Sequence, residues 1–416
     1  MLSPQSSDAA SVYRIYAVLT AFFSTTVFTV VAVYYLQTAG LSPLQLILVG
    51  TVLELTVFLF EIPTGVVADT YSRRRSVLIG TTFIGAAFVI EGSLPLFWAI
   101  LIAQVVRGIG ETFISGALTA WLADEVGEDR LGSVLLGGAR ISQFAALGGI
   151  ACGSILATQG LQLPVLLGGV GYLVTALWLW RVMPERHFTP TLHEERRSWP
   201  SMTSTLREGL RVVRTRPVLW SLLGVGLLYG FASEAYDRLW EAHFLGIGLP
   251  SFAGLSPVLW FGVLNAGLML LSILVLRVAE RRLVTGDFGA LARLAVGLNL
   301  ASVASILAFG LATNFVFALA AFWSAGVLLQ VISPLYHAWL NRGLDSRVRA
   351  TVLSMSGQLN ALGQMTGGPL LGGVATRFSI SAALVLVALI RLPAVWLYLR
   401  ARRDRTKLPK PEPSVD

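Results

Sequence analysis

The stretch ELTVFLFEIPTGVVADTYSRRR, residues 54–75, decides the fold class, because a long apolar run ends in it at Asp69 and three consecutive arginines. About 20 apolar residues can span a bilayer as a helix, and basic residues collect on the cytoplasmic side of such helices. The stretch therefore predicts the inner end of a transmembrane helix, followed by a tight basic turn.

The composition of the whole chain indicates a polytopic membrane protein. Of its 416 residues, 55% are hydrophobic and 13% are charged, whereas about a quarter of the residues in soluble domains are charged. The net charge of +8 does not indicate nucleic-acid binding, because the basic residues lie in short loops between apolar runs, as in membrane proteins. We expect the lipid bilayer as a partner, no nucleic acid, and a monomer.

Twelve apolar segments are long enough to be spanning helices. In the first half they are 13–36, 44–68, 76–92, 96–122, 131–158 and 163–182. In the second half they are 218–245, 255–279, 289–312, 315–340, 350–376 and 379–400.

These segments divide the chain into four parts. We predict a six-helix bundle at 1–182, a cytoplasmic linker at 183–217, a second six-helix bundle at 218–400 and a basic cytoplasmic tail at 401–416. Within the linker, apolar and basic residues alternate at helical spacing over 206–214, which predicts an amphipathic surface helix.

The placement of basic residues predicts the orientation. Of the 31 lysines and arginines, four lie inside predicted helices and one lies in a predicted outer loop; they are Arg107, Arg140, Arg238, Arg391 and Arg377. The remainder lie on one side, which the positive-inside rule makes cytoplasmic. Both termini and the linker should therefore be cytoplasmic.

Internal repetition indicates that a six-helix unit has been duplicated. The letters AGLSP at 39–43 recur at 253–257. Ser115, 120–122 and 134–135 likewise match Ser333, 338–340 and 352–353 in order and spacing. Because each copy has an even number of helices, both copies have the same orientation in the membrane, an arrangement that places substrate sites between two halves.

The turn after the second predicted helix resembles the signature of the major facilitator superfamily. That signature is a glycine, an aspartate four residues on and two basic residues, here Gly65, Asp69, Arg73 and Arg74. The resemblance implies an all-α fold of 12 transmembrane helices in two pseudo-symmetric six-helix bundles. It also implies transport by alternating access.

The resemblance also implies a role for this turn. In the family, the aspartate and arginines form a cytoplasmic charge latch between the two halves, and we expect Asp124 and Glu125 to join it. Thr70 and Ser72 depart from the pattern, since an arginine and a glycine are common there.

Glycine stripes indicate close helix packing. They lie in the fifth helix at Gly148, Gly149 and Gly153, and in the eleventh helix over 363–373. Residues 368–373, with Gly-Pro followed by Gly-Gly, resemble part of a motif that exporters of the superfamily carry in the fifth helix. Plain helix packing explains these glycines at least as well.

Ionisable residues inside the predicted helices are the strongest site candidates, because each costs at least about 2.5 kcal/mol near the bilayer centre. Glu54, Arg107 and Arg140 lie at similar depth near the midplane, and Glu111 follows Arg107 by four residues on the same helical face. We predict a network of these four residues, with Glu61 nearer the cytoplasm.

Such a network suggests how protons are coupled to transport. Pairing with an arginine favours an ionised carboxylate, whereas apolar surroundings favour the protonated acid. An acid that gains and loses its arginine can carry a proton, and Glu111 is the first candidate and Glu54 the second. Permanent ion pairs that only fix helix packing are the alternative.

The seventh helix carries a second charged cluster. Glu234 and Arg238, and likewise Asp237 and Glu241, are spaced by four residues, so the cluster can attract a cation or form a polar belt at the interface. Aromatic and polar residues predicted to form a cavity wall are Tyr229, Tyr236, Trp323 and Gln330. Arg391 is expected to reach the interface or to pair locally.

The resulting functional hypothesis is proton-coupled efflux of small amphipathic or cationic compounds, similar to the drug and metabolite exporters of the superfamily. The alternative is proton-linked uptake of a small nutrient such as a sugar or organic anion, with Arg107 and Arg140 binding the anion. The fold is common to both hypotheses.

An enzymatic function has little support in the sequence. Walker loops, nucleophile elbows and metal-ligand spacings of histidine or cysteine are missing from it. We therefore expect no catalytic residues, no metal and no cofactor, with a proton gradient as the energy source. The expected location is the plasma membrane, which is the inner membrane in bacteria.

Overall fold

The computed structural model describes residues 8–189, 217–251, 254–283, 288–341 and 346–405, and every regular element in these ranges is helical. The predicted all-α membrane fold class is thereby confirmed. The predicted linker helix at 206–214 and the tail beyond 405 lie outside the described residues.

The first half of the described chain has eight helices, with a π-helical turn, Tyr34–Thr38, after the second. The helices are α1 (Ala9–Phe28), α2 (Val31–Val33), α3 (Pro43–Thr70), α4 (Arg73–Ser93), α5 (Phe97–Ile114), α6 (Ala117–Val126), α7 (Glu128–Ala157) and α8 (Gln162–Val182).

The second half of the described chain has six long helices. They are α9 (Pro217–Ile247), α10 (Pro257–Leu283), α11 (Phe288–Gly310), α12 (Phe315–Asn341), α13 (Ser346–Arg377) and α14 (Ile380–Arg405).

Eleven segments of the described chain are long and apolar enough to cross a membrane. Two of them combine neighbouring helices, since Ala9–Thr38 includes α1 and α2, and Phe97–Val126 includes α5 and α6. The predicted segment 350–376 forms α13, which is long enough but is more polar and rich in glycine.

The last four of the repeated letters, GLSP at 40–43 and 254–257, have the same local structure in both copies. Gly40 and Gly254 each have a φ of 62°, in the left-handed region that favours glycine. Ser42 accepts a hydrogen bond from the backbone of Gln45, and Ser256 accepts one from the backbone of Leu259. The repeat therefore encodes a turn and a serine N-cap before α3 and α10, with proline at the first helical position.

Two predicted helices are broken where the sequence suggested continuity. The segment 96–122 is interrupted at Ser115 and Gly116, because Gly116 has a φ of 69°. The first segment is interrupted near Thr29 and Val30, before the π-helical turn. Apolar composition predicts that a segment lies in the membrane but does not locate such breaks.

The chain divides into two compact units, Met1–Met202 with Ser251–Gly262, and Thr203–Pro250 with Val263–Asp416. In the first unit α1 packs on α7 and α8, and in the second α9 packs on α13 and α14. In the first unit α4 packs on α5 and α8, and in the second α11 packs on α12 and α14. The two units thus share helix pairings, as expected of a duplicated six-helix unit.

The glycine stripes allow these close pairings. A Cβ atom added at Gly153 would lie 2.6 Å from the backbone oxygen of Thr26 in α1, and one added at Gly367 would lie 2.2 Å from that of Phe231 in α9. Both distances are far below van der Waals contact, so only glycine fits. The stripes therefore serve helix packing, which is the plainer of the two explanations from the sequence.

Candidate functional site

The signature turn joins α3 to α4 with a serine cap. Ser72 is the N-cap of α4 and accepts a hydrogen bond from the backbone N–H of Arg75 at 3.0 Å. Its hydroxyl donates to the Glu185 carboxylate at 2.7 Å, and that carboxylate also accepts from the backbone N–H of Arg74 at 2.9 Å. Ser72, where the family pattern often has glycine, thus begins the helix by side-chain capping.

Three of the predicted latch residues form one charged cluster, which we call the signature cluster: Asp69, Arg73 and Asp124. Arg73 lies 3.7 Å from Asp69 and forms an ion pair with Asp124 in α6. It also donates to the backbone oxygen of Ala120 at 3.3 Å. These contacts join the ends of α3, α4 and α6. Gly65 lies one turn before Asp69 in α3.

Arg74 and Glu125 have different partners from those expected. The Arg74 guanidinium donates to the backbone oxygen of Trp180 in α8. Glu125 accepts hydrogen bonds from the backbone N–H groups of Arg186 at 2.6 Å and His187 at 3.1 Å. The Arg74 guanidinium therefore contacts α8 itself, whereas Glu125 contacts the segment that follows α8.

The midplane network contains one direct ion pair between predicted residues. The Arg107 Nε donates to Glu111 at 2.8 Å, and the arginine and glutamate side chains are 14% and 37% exposed. The Arg107 guanidinium also lies over two rings, 4.9 Å from the centroid of Phe28 and 5.7 Å from that of Phe88. Arg107 is thus enclosed while its acid partner remains accessible.

Glu91 extends this network and was not predicted from the sequence. Its side chain is 1% exposed and accepts hydrogen bonds from the Tyr35 hydroxyl at 2.8 Å and the Gln104 amide at 3.1 Å. The Gln104 oxygen lies 3.5 Å from Arg107 and accepts from it. The only sequence signal was an acid near the predicted outer end of the third helix.

The structure places the other predicted members of the network on α3 and α7 of the first unit. Glu61 is exposed on α3 and accepts a hydrogen bond from the Ser115 hydroxyl at 2.9 Å. Arg140 is exposed on α7, and Glu54 is half-buried on α3.

The second unit contains a cavity of about 550 Å³. Of the four predicted wall residues, Tyr229, Tyr236 and Gln330 line it. Trp323 is not among the residues that line this cavity, and its indole N–H donates to the backbone oxygen of Leu264 at 2.9 Å.

The charged residues of α9 have two different environments: Glu234 and Arg238 form an ion pair, and Asp237 lines the cavity. Glu234 is 5% exposed and accepts from Arg238 at 2.9 Å. Asp237 instead lines the cavity. Residues 229, 233 and 236–237 follow helical spacing, so one face of α9 forms part of the cavity wall.

Several polar groups of the cavity wall bond to one another. The Tyr229 hydroxyl donates to Asn299 and lies 3.2 Å from the Tyr398 hydroxyl. The Tyr336 hydroxyl lies 2.8 Å from that of Ser356. These bonds fix the orientation of the aromatic rings.

Arg391 of α14 also lines this cavity, contrary to the expected interfacial or local contact. It is 5% exposed, and its guanidinium lies 4.3 Å from the centroid of the Tyr229 ring. Among the described residues, no cluster of three histidine, cysteine, aspartate or glutamate side chains could hold a metal ion. The arrangement combines aromatic faces, one carboxylate and one guanidinium.

A model described as Major Facilitator Superfamily matches residues 15–367 of the chain. Over 381 residues, 89% of the chain, it is 24% identical to the uncharacterized MFS-type transporter YxaM of Bacillus subtilis (strain 168), and the match covers 91% of that protein.

Two solved structures share the fold. The nucleoside transporter NupG is 11% identical, with a TM-score of 0.71 and coverage of 95% of this chain and 100% of that chain. A POT family transporter in complex with a thioalcohol-conjugated peptide is 14% identical, with a TM-score of 0.71 and coverage of 96% of each chain.

Proposed function

The chain belongs to the Major Facilitator Superfamily, and from this premise we propose that it exports small amphipathic or cationic compounds in exchange for protons. The coarser statement is supported by the family match and the curated relative: the protein is a multi-pass membrane protein and a secondary transporter. We propose a proton gradient as its energy source, with no bound cofactor.

The Arg107–Glu111 pair is the observation that carries the proposed proton coupling. An acid that gains and loses an arginine partner changes its affinity for a proton. Glu111 is 37% exposed, whereas Arg107 is enclosed by Phe28 and Phe88. We propose that Glu111 exchanges its proton when the helices around Arg107 rearrange.

The cavity of the second unit supports an amphipathic or cationic ligand. Its volume of about 550 Å³ is within the range of small-molecule sites, which are about 300–1,000 Å³. Tyr229 and Tyr236 offer aromatic faces and Asp237 offers a negative charge, features that attract an organic cation.

The alternative, proton-linked uptake of a small nutrient, has one observation in its favour. That observation does not concern Arg107 or Arg140, the two arginines first expected to bind an anion. Arg107 already has an acidic partner, and Arg140 is exposed on α7. Arg391 instead places a cationic group in the cavity wall. An organic anion or a sugar acid would find its counter-charge there.

The proposed location is the bacterial inner membrane, with both termini in the cytoplasm. We also propose that the protein acts as a monomer.

Neutralising Glu111 tests the proposed function. In an efflux-deficient bacterium, the protein should lower the accumulation of fluorescent organic cations, and a protonophore should abolish this effect. Glu111→Gln cannot exchange a proton, so we expect at least about a tenfold loss of protonophore-sensitive efflux. The measurement is cellular fluorescence over time.

Glu128→Gln is the matched control, because Glu128 is exposed in the first turn of α7 and its loss should leave efflux unchanged. Efflux that persists at the wild-type rate in Glu111→Gln would contradict the proposed coupling. If the cations are not exported but organic anions accumulate, the uptake alternative replaces this proposal.

A further inference from the structure

Arg391 is buried in the second unit and forms no direct ion pair among the residues that the structure describes. Its side chain is 5% exposed and its Nε has no hydrogen-bond partner. Among the described residues, no carboxylate lies within ion-pair distance of it. Its contact at 4.3 Å with the Tyr229 ring only partly replaces water. A buried charge in this state is costly unless a counter-ion binds.

Asp237 presents the opposite charge to the same cavity. It lines the cavity and is exposed there, and within the described chain it too has no ion-pair partner. The neighbouring Tyr236 hydroxyl is buried without a hydrogen-bond partner. Asp237 and Arg391 therefore face one cavity with their charges separated.

Three other polar residues of the wall, Tyr229, Tyr336 and Asn360, already have partners. Tyr229 bonds to Asn299, and Tyr336 bonds to Ser356. The Asn360 amide donates to the backbone oxygen of Gly226 at 3.2 Å. Asp237 and Arg391 are the carboxylate and the guanidinium that the wall offers a ligand.

We propose that this cavity binds a small zwitterion of amino-acid size with an apolar side chain. Its carboxylate would pair with Arg391, its ammonium group with Asp237, and its apolar part would lie among the tyrosine rings and apolar wall residues such as Ile306 and Leu353. This inference rests on the proposed function in one respect, since it takes the cavity as the substrate site. Arg391 is then the residue that selects for a ligand with a carboxylate.

Three ligands with one phenyl group and different charges test the proposal directly. They are L-phenylalanine, phenethylamine, which lacks the carboxylate, and 3-phenylpropionate, which lacks the amine. Isothermal titration of the purified full-length protein in detergent should show L-phenylalanine binding at least about tenfold more tightly than either analogue, because each charged hydrogen bond is worth about tenfold or more.

The variants should change this selectivity in opposite directions. Arg391→Gln should lower L-phenylalanine affinity about tenfold or more and leave that of phenethylamine unchanged. Asp237→Asn should lower L-phenylalanine affinity similarly and leave that of 3-phenylpropionate unchanged. Arg391→Lys keeps the charge and should keep the preference for a carboxylate, which separates recognition from a folding defect.

Arg377→Gln is the control, since Arg377 is exposed at the end of α13 and should not affect any of the three ligands. Equal binding of phenethylamine and L-phenylalanine, or no binding of any of the three ligands, would overturn the inference. The titration needs no proton gradient, so it tests binding independently of transport. If L-phenylalanine binds with the expected charge selectivity but the cells show no efflux, the proposed export is rejected and the proposed zwitterion site is retained.

Discussion

At the residue scale, two arginines inside spanning helices show what sequence spacing can and cannot reveal. Arg107 has its partner Glu111 one turn later in the same helix, so the i,i+4 rule was enough to predict the pair. Arg391 lies against Tyr229 of another helix, and no local spacing indicates that contact. Its place in the cavity wall therefore required the packing of α9 and α14.

Glu91 provides a test of the buried polar network. Glu91→Leu removes the carboxylate that accepts hydrogen bonds from the Tyr35 hydroxyl and the Gln104 amide, and a hydrogen bond to a charged group contributes about 1.5–3 kcal/mol to stability. We expect a lower apparent melting temperature of the purified protein, measured by thermal unfolding in detergent.

Tyr35→Phe serves as the graded control, because it removes one donor and leaves the Gln104 bond to Glu91 in place. Its melting temperature should fall by less than that of Glu91→Leu. An unchanged melting temperature in Glu91→Leu would show that these bonds do not stabilise the first unit.

At the element scale, the glycines of α13 show how one helix uses the same residue type differently. Gly367 meets the backbone of α9, with 2.2 Å between a Cβ added there and the Phe231 oxygen, whereas a Cβ at Gly373 would meet nothing within 4 Å. The sequence placed both glycines in one stripe. Only the packing of α9 against α13 separates the glycine required for contact from the one that is not.

Alanine substitutions at these two glycines test that distinction. Gly367→Ala should destabilise the protein by about 1–3 kcal/mol or more, because the added methyl group forces the helix backbones apart. Gly373→Ala should be neutral or stabilising by up to about 1 kcal/mol, because alanine is the better helix former. Thermal unfolding of the two purified variants measures the difference, and equal melting temperatures would contradict the packing role of Gly367.

At the scale of the whole molecule, the distribution of basic residues predicts the orientation in the membrane. The linker, residues 183–217, carries seven of the 31 lysines and arginines and the tail, residues 401–416, carries five, and the cytoplasmic side retains such residues. The loop between α7 and α8, residues 158–161, has no basic residue, and we expect it on the outer side.

Reporter fusions test this orientation. Green fluorescent protein after Asp416 should fluoresce, because it folds in the cytoplasm, and alkaline phosphatase fused after Gly160 should be active, because it folds only outside. Exchanging the two reporters between these positions is the control, and both signals should then be lost. Active phosphatase after Asp416 would reverse the proposed topology.

The sequence by itself determined the membrane class, the segments that form helices and the duplication, because these follow from local hydropathy and repeated letters such as AGLSP. It also placed Arg107 with Glu111, since that partner is one helical turn away in the same helix, and the resemblance to the family signature placed Asp69 with Arg73.

Only the tertiary structure decided which residues meet across helices. It brought Glu185 to the cap of α4, Glu91 to Tyr35 and Gln104, and Arg391 to the cavity that Asp237 lines. The physical reason is that these contacts depend on the rotation and separation of packed helices. Local spacing specifies the faces of one helix, whereas packing selects which faces meet.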